Sequence, residues 1–284
     1  MSQAGAALPI VLVPVGTDED ALDACLAALE AATPAGTRVW LADDAQAGPR
    51  GLAIIQRWLT QTRLQAAHTR RKAAVGEAAH VADALRACGE ADVVVLASDA
   101  QPTPGWLEHL ADCLAQDPAI VTATPWCNAG EVAAWPRIGE IVPLQIPPAR
   151  LAQACATLPG PCPTLPAAVS HAVLLRGRAR VAAGGVDGES YRGWPAALAD
   201  LSLRLAGLGG RNVLCPTAFV LREREGAPHP GDGDLLAARW PTWHASIAHC
   251  LMQDPLHALR ARLHTALVEL EKASPQPDLF ADRV

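Results

Sequence analysis

One buried strand that ends in a carboxylate and leads into a helix constrains this fold more than any other feature. Residues 93–96 are an unbroken run of Val and Leu, which is typical of a central strand covered on both faces. Asp99 follows, and then Pro102 and Pro104 end the strand before a helix begins at residues 105–108. Ligands gather at the carboxyl ends of strands in open α/β sheets, so Asp99 is a candidate site residue. An acid in this position is suited to holding a divalent metal against a diphosphate.

Strand and helix patterns alternate through the first half of the chain. In the pattern at 19–32, Leu22, Leu26 and Leu29 fall on one helix face. The predicted strands are 9–15, 38–42, 63–68 and 93–96, and the predicted helices are 19–32, 52–62 and 76–88. This order predicts an α/β fold with a mostly parallel central sheet flanked by helices and joined by right-handed crossovers. The first half therefore indicates a Rossmann-like nucleotide-binding unit.

The second half is less regular. Its many prolines between residues 143 and 166 predict an irregular loop. Strands are predicted at 167–175 and 212–221, helices at 178–183 and 200–208, and a C-terminal amphipathic helix at 256–272. Residues from Ser274 onward are typical of a frayed tail.

Composition excludes several classes of protein. Of 284 residues, 50% are hydrophobic and 18% are charged, which indicates a folded globular protein. A net charge of −6 argues against a general nucleic-acid binder. The only tight basic cluster, residues 70–72, is typical of a solvated loop. The eight cysteines contain no C-x-x-C pair and are expected to be reduced core thiols.

The apolar run at residues 8–15 is the nearest thing to a targeting or membrane segment. It is too short for a span, contains two prolines and follows no basic residue. We therefore expect no transmembrane segment and no signal peptide. A cytoplasmic protein is predicted.

Several segments resemble one enzyme family. The sequence ASDAQPTPGWLEHL at 97–110 resembles the aspartate motif of family-2 glycosyltransferases of the GT-A fold, and VTATPWCN at 121–128 resembles their rhamnosyltransferase-like branch. Similar matches are VWLADDAQ, VAAGGVDGESYRGW and ADLSLRLAGLGG. The resemblance implies a single GT-A-like domain over residues 1–273. Within it we expect a nucleotide-binding half (8–130), an acceptor-side half (131–255) and a C-terminal helix (256–273), followed by a flexible tail (274–284).

The resemblance also implies an activity. Such enzymes transfer a sugar from a nucleotide-sugar donor, here a UDP- or dTDP-sugar, to a glycan or lipid-linked acceptor with inversion. The implied donor-binding residues are Pro14, Asp43, Asp44, Ser98 and Asp99, and the implied acceptor-side residues are Asp187, Glu189 and Trp194. Asp200 is the acid that remains at the catalytic-base position, because Ala197 and Leu198 stand where the family carries acids.

The implied cofactor is Mn²⁺ or Mg²⁺, with Asp99 as the last acid of the metal motif. The earlier acid of that motif falls on Ala97, and the histidine expected after the late strand falls near Arg222. A metal-independent variant is the alternative, with the Arg222 guanidinium neutralising the diphosphate. These lost acids also favour a second function, a catalytically degenerate relative that binds a nucleotide or glycan, or supports a partner, without turnover.

Simpler structural roles remain open for the same residues. Asp43 and Asp44 could end a strand and cap the next helix, and Asp99 could form a turn before Pro102. Asp200 could be a helix N-terminal charge, and Asp187 fits a turn. A third hypothesis concerns the tail, where QPDLF at 276–280 resembles the short peptide with which bacterial proteins dock on the replication sliding clamp.

Overall fold

The computed structural model of the protein describes residues 8–129, 132–158, 160–222 and 228–273. Strands and helices alternate through the first half, as the hydrophobic periodicity predicts. In the described residues and in chain order, the elements are β1 (Ile10–Val15), α1 (Glu19–Ala32), β2 (Arg38–Asp43), α2 (Pro49–Gln61), β3 (Gln65–Arg70), α3 (Glu77–Ala87), β4 (Val93–Leu96), β5 (Ala100–Pro102), α4 (Trp106–Ala115), β6 (Ile120–Trp126), α5 (Pro148–Ala156), β7 (Ala172–Leu175), α6 (Gly177–Ala182), α7 (Trp194–Gly207), β8 (Arg211–Arg222), α8 (Asp232–Arg239), α9 (Trp243–Gln253) and α10 (His257–Ala273).

The strands form one curled, mixed sheet with helices on its faces. Its order is β3-β2-β1-β4-β7-β6-β8-β5 in the part of the chain described. Pairing is parallel from β3 to β4 and between β6 and β8, while β7 runs antiparallel to both of its neighbours and β5 runs antiparallel to β8. The α/β fold class is confirmed. The parallel first half brings the carboxyl ends of β1, β2 and β4 to one edge.

The strand β4 lies at the centre of the sheet, as predicted. All four of its residues are fully buried, between parallel β1 and antiparallel β7. After it, Gly105 takes a φ of +80° and α4 begins at Trp106, whose ring is fully buried. The indole Nε1–H donates to Oγ1 of Thr33 at 3.2 Å. This contact joins the start of α4 to the end of α1 beneath the sheet.

The prediction of an irregular loop between residues 143 and 166 is wrong in the middle of that range, where the chain forms α5. Pro147 stands at the N-cap and Pro148 at the first turn, where a missing N–H is tolerated. Leu151 and Cys155 are fully buried in a cluster that also contains residues of β8 and α10. The prolines therefore start a helix that tertiary packing stabilises.

Other boundaries in the second half also shift. The helix predicted from Asp200 begins at Trp194 as α7, and the strand predicted at 167–175 is confined to β7. Two short helices, α8 and α9, precede the C-terminal helix α10. The predicted frayed tail and its QPDLF sequence lie outside the described residues.

None of the helices formed by the described residues has both the length and the apolarity needed to cross a bilayer. None of the eight cysteines, all of which lie in the described residues, forms a disulfide, and all but Cys88 are buried, in agreement with reduced core thiols.

Candidate functional site

A cavity of about 750 Å³ opens at the carboxyl ends of β1, β2 and β4. Its walls come from the loops after these strands, the starts of α3 and α7, and the end of β8. The structure brings these predicted residues together in its wall: Pro14, Asp44, Ser98, Asp99, Glu189, Trp194 and Arg222. It does not bring Asp43, Asp187 or Asp200 to the wall of this cavity.

Asp99 and Arg222 form an ion pair in the cavity. The register of β5 and β8 places Ala100 opposite Arg222. The Nε atom of Arg222 lies 3.1 Å from each oxygen of Asp99, and the two side chains are 11% and 27% exposed. The backbone N–H of Arg222 donates to Oδ1 of Asn128 at 2.9 Å, which fixes the end of β8. Asp99 thus faces a cation that belongs to the chain.

The residues around Asp99 do not fit the divalent metal that the sequence resemblance implies. Mn²⁺ and Mg²⁺ need several oxygen or nitrogen ligands around one point. Ala97 offers only a methyl group, and both oxygens of Asp99 face the guanidinium of Arg222. Among the residues described, no group of three or more His, Cys, Asp or Glu is placed to hold a metal ion. A reaction at this site therefore has no step through a metal.

His171 is a buried, uncharged neighbour of this pair. Its carbonyl accepts a hydrogen bond from the backbone N–H of Ala97 at 2.9 Å, and the residue is 1% exposed. Burial, assisted by the positive charge of Arg222, lowers the pKa of the His171 imidazole to about 3. The ring therefore stays neutral at physiological pH.

Asp43 is fully buried, and its carboxylate oxygens accept hydrogen bonds from neighbouring residues. Its Oδ1 accepts from the backbone N–H groups of Gln46 at 2.7 Å and Ala47 at 3.2 Å, and its Oδ2 accepts from Nη1 of Arg70 at 2.6 Å. The side chain thus orders the turn after β2. Arg70, expected in a solvated loop, instead points inward to this carboxylate.

Asp44 lines the cavity and fixes the loop that precedes α3. Its two oxygens accept from the backbone N–H of Val75 at 3.0 Å, and Oδ2 also accepts from Gly76 at 2.9 Å. The residue is only 4% exposed. Gly76 has a φ of +100°, which glycine adopts without strain. Asp44 thereby shapes one end of the cavity through backbone contacts.

Ser98 ties the turn after β4 to the loop after β1. Its Oγ accepts from the backbone N–H of Gly16 at 3.0 Å. A Cβ atom at Gly16 would come within 2.8 Å of that oxygen, so the approach requires glycine. Pro14 lies in β1 just before this loop. The contact holds two cavity walls together.

Asp200, a residue of α7, does not line the cavity and is fully buried in a charged network. Its oxygens accept from Nε of Arg204 at 2.8 Å, Nη1 of Arg239 at 3.1 Å, Nε1 of Trp240 at 2.9 Å and the hydroxyl of Tyr191 at 3.4 Å. Burial opposes its ionisation, but the donors Trp240, Arg204 and Arg239 outweigh burial and lower the pKa of Asp200. Asp200 acts as the central anion of a structural network.

Asp187 belongs to the same network. Its Oδ1 accepts from the backbone N–H groups of Glu189 at 3.3 Å and Ser190 at 2.9 Å, and its Oδ2 accepts from Nη1 of Arg239 at 2.9 Å. Burial opposes ionisation, yet Ser190 and Arg239 together lower the pKa of Asp187 to about 2. The expected turn explains this residue.

Glu189 and Trp194 both reach the cavity, in different ways. Glu189 is exposed, and in the part of the chain described the structure gives its side-chain oxygens no hydrogen bond or ion pair. Trp194 is only 4% exposed, and its backbone N–H donates to Oε2 of Glu77 at 2.9 Å. The Trp194 ring therefore packs mainly in the core, whereas Glu189 contributes an exposed carboxylate to the cavity wall.

Two basic side chains that the sequence analysis did not single out also line the cavity. Arg192 is exposed, and no hydrogen bond or ion pair joins its guanidinium to another described residue. His229, which precedes α8, lies in the wall as well. Arg192 stands in the family-like segment VAAGGVDGESYRGW, which is the sequence signal for it, whereas His229 stands in none of the matched segments. The described cavity wall thus holds two guanidinium groups, the imidazoles of His80 and His229, and the carboxylate of Glu189, which has no partner in the described chain.

Solved glycosyltransferases share this fold. A mannosyltransferase from Pyrobaculum calidifontis, solved with GDP-Man and Mn²⁺, has a TM-score of 0.53 at 15% identity, over 94% of this chain and 76% of that chain. GalNAc-T7, solved with UDP, GalNAc and Mn²⁺, gives 0.59 at 13% identity, over 95% of this chain and 59% of that chain. TarS 1-349 of S. aureus, solved with UDP-GlcNAc, gives 0.54 at 14% identity, over 94% and 81%. At these identities the likeness shows the GT-A fold alone.

No curated protein matches the sequence. The family profile described as glycosyl transferase family 2 matches residues 10–169, which is more than half of the chain. The matched range includes β1, β2 and β4, whose ends form the cavity, and it includes Asp99. The chain therefore belongs to glycosyl transferase family 2.

Proposed function

We propose that this chain transfers a sugar from a nucleotide-sugar donor to an acceptor hydroxyl, with inversion and without a divalent metal. Membership of family 2 supports glycosyl transfer in general. The observation that carries the metal-independent form is the pairing of Asp99 with Arg222 inside the cavity. A guanidinium is always charged in proteins and offers a planar set of donors that suits phosphate oxygens.

The diphosphate leaving group is the first need of this reaction. In the described chain only Nε of the Arg222 side chain is engaged, which leaves its two terminal nitrogens for diphosphate oxygens. Arg192 supplies a second guanidinium to the cavity wall, at the entry to α7. Two such cations stabilise the negative charge that develops on the diphosphate as the glycosidic bond breaks.

We propose that the nucleotide base binds at the other end of the cavity. Asp44, Gly76 and the loop after β1 line that end. Asp44 already accepts three backbone hydrogen bonds, so its role is to order residues 75 and 76 against the base. We propose UDP- or dTDP-sugars as donors, while GDP-sugars are included in the test because a structural relative was solved with GDP-Man.

The acceptor hydroxyl needs a base, and we assign this role to Glu189. Its carboxylate lines the cavity and is exposed, whereas Asp200 is buried and saturated with donors. The hydroxyl oxygen forms a bond to the anomeric carbon, and the electron pair of the broken bond leaves with the diphosphate. The hydroxyl proton passes to Glu189. The acceptor is a glycan or a lipid-linked molecule.

A second candidate is a degenerate relative that binds the donor without turning it over. It is favoured by Ala97 near Asp99 and by the burial of Asp200, which is not among the residues that line the cavity. Such a protein would use the same cations to hold a nucleotide. The two candidates differ in whether the sugar–phosphate bond is broken.

Calorimetry of the full chain with UDP-, dTDP- and GDP-sugars, each with Mn²⁺, Mg²⁺ or EDTA, tests the proposal. We expect one donor class to bind with the same Kd in all three conditions, and to release nucleoside diphosphate when an acceptor is added. The anomeric configuration of the product, read by NMR, reports inversion. Binding without release supports the degenerate relative. Binding that disappears in EDTA overturns the metal-independent mechanism, and absence of binding overturns both candidates.

Two further expectations stay proposals. We place the activity in the cytoplasm, which fractionation of cells that express the chain tests. Docking of residues 276–280 on a sliding clamp is tested by deleting residues 274–284. Clamp binding that is absent from the full chain, or unchanged by the deletion, removes that hypothesis.

A further inference from the structure

A second cavity, of about 620 Å³, adjoins the first and is open to the surface. Ser170, Gly193, Pro195 and His229 line both cavities, so the two spaces share a wall at this point. We call the second cavity the α9 groove, because α9 forms one of its walls. Residues 167–170, the first turns of α7, and α8 with the residues before it supply most of the rest.

The helix α9 presents an apolar face to this groove. Trp243, Ile247 and Leu251 recur every four residues, and all three line the groove. Of the eleven residues of α9, only Cys250 is buried, and Leu251 is 42% exposed. A helix with large apolar side chains and so little burial leaves apolar surface available to a ligand.

Polar groups in the α9 groove are few, and the charged one is already engaged. The carboxylate of Asp232 accepts from the backbone N–H of Arg192 at 3.1 Å and of Gly193 at 2.7 Å. No Lys or Arg is among the described residues that line the groove. A bound sugar needs many hydrogen-bond partners, and a bound anion needs cations. The lining therefore favours an apolar occupant.

We propose that the α9 groove holds the hydrocarbon chain of an amphiphilic acceptor whose hydroxyl-bearing head lies in the main cavity. The proposal rests on the function proposed above, and it narrows the acceptor from a glycan or lipid-linked molecule to one with a hydrocarbon chain. The wall that the two cavities share at Ser170 and His229 sets them side by side, so that one molecule lying across it would reach from the apolar wall to Glu189 and the diphosphate cations. Burial of each methylene in the groove strengthens binding.

Binding of alkyl β-glucosides to the full chain, below their micelle concentrations, tests this inference. The series runs from methyl to hexyl, octyl and decyl, and it is measured by calorimetry without donor. We expect Kd to fall about fourfold for each two methylenes added, which is roughly half the gain for complete burial. Equal Kd across the series would overturn the proposal.

A matched pair of variants tests where the alkyl chain of the ligand binds. Leu251 lines the groove, whereas Met252, its neighbour in α9, is 76% exposed and lies outside the lining. Leu251→Gln is expected to remove most of the chain-length dependence, and Met252→Gln is expected to retain it. Circular dichroism melting checks that both variants fold. We expect both to fold because the two substituted residues are exposed. Equal loss in both variants, or in neither, places the alkyl chain elsewhere and overturns the assignment.

Other occupants give distinct results. If residues 274–284 of the chain filled the groove, chain-length dependence would appear only after their deletion. If a second copy covered it, sedimentation would show a dimer that octyl glucoside dissociates. Either result overturns the proposal. Failure of this proposal can be told apart from failure of the proposed transferase function. If Kd depends on alkyl chain length but no nucleotide binds, the groove remains an amphiphile site and the transferase function fails. If a nucleotide binds but Kd does not depend on alkyl chain length, only the proposal for the groove fails.

Discussion

The guanidinium of Arg222 lies 3.1 Å from both oxygens of Asp99, although 123 residues separate the two in the sequence. The short pairing of β5 with the end of β8 creates this contact, because it sets Ala100 opposite Arg222. A carboxylate that the sequence offers as a metal ligand thereby becomes the anchor of a fixed cation.

Replacing that cation tests its role in donor binding. In Arg222→Met, the diphosphate loses its charged hydrogen bonds and Asp99 is left as an unpaired anion beside it. We expect the donor Kd, measured by calorimetry, to rise roughly 10- to 100-fold. Arg178→Met is the control, since Arg178 is 85% exposed on α6. An unchanged Kd in Arg222→Met would remove Arg222 from the mechanism.

Glu189→Gln separates the proton acceptor from donor binding. The amide keeps the size of the side chain but cannot take the hydroxyl proton. We expect kcat, measured as release of nucleoside diphosphate, to fall by about 10²- to 10⁴-fold while donor Kd and thermal stability stay unchanged. Glu90→Gln, at an exposed position outside the cavity lining, is the matched control. Retention of kcat in Glu189→Gln would exclude Glu189 as the base.

Asp200→Asn is expected to act on stability. The substitution removes the buried anion that the Arg204 and Arg239 side chains share; these are 25% and 37% exposed, and Arg239 keeps its ion pair with Asp187. We expect the free energy of unfolding, from urea denaturation at pH 7.5, to fall by about 2 kcal/mol through the lost charged hydrogen bonds. The donor Kd of the folded fraction stays the same. A variant with wild-type stability and lost turnover would show the opposite role, that of a catalytic residue.

His171 makes the fold sensitive to acid. Its pKa is about 3 in the folded protein, below the usual value near 6.5, so the unfolded chain takes up the proton first as pH falls. The free energy of unfolding therefore decreases from about pH 6.5 downward, by roughly 3 kcal/mol at pH 4.5. His171→Leu, which does not titrate, is expected to lose this part of the pH dependence in urea titrations. His264→Gln, exposed on α10, keeps it. Identical pH slopes in wild type and His171→Leu would contradict the assignment.

Two glycines give opposite expectations for alanine. A Cβ atom at Gly177 would lie 2.2 Å from the carbonyl oxygens of Glu90 and Ala91, whereas at Gly207, the last residue of α7, it would meet no atom within 4 Å. Thermal melting should show Gly177→Ala destabilised by about 2 kcal/mol or more, through backbone displacement. Gly207→Ala should be stabilised by roughly 0.5–1 kcal/mol. If both variants were stabilised, the backbone at the start of α6 would move freely enough to accommodate the added methyl group.

Local signals explain what could be predicted from the sequence. The helix α1 lies at residues 19–32 as predicted, because Leu22, Leu26 and Leu29 mark one face and Asp18 caps it by accepting from the N–H of Ala21. The buried strand β4 was equally clear. In contrast, α7 was predicted six residues late, since its first turns are rich in alanine and carry little periodicity.

The site depended on contacts that no local pattern encodes. Asp200 falls in a family-like motif, yet Arg239 and Trp240 of a later segment surround it and keep it from the cavity. Arg192 reaches the cavity only through the packing of the loop before α7 against α3, where its carbonyl accepts from the N–H of Ala78 at 3.0 Å. Such long-range placement follows from tertiary packing, which the sequence does not display directly.

Asp232 joins the two ends of the proposed substrate path. It opens α8 beside the α9 groove, and its two oxygens hold the consecutive peptides of Arg192 and Gly193. One side chain therefore sets the spacing between the cation that faces the donor and the wall that faces the acceptor. We therefore expect a substitution at this position to change binding of the proposed donor and of the proposed acceptor together.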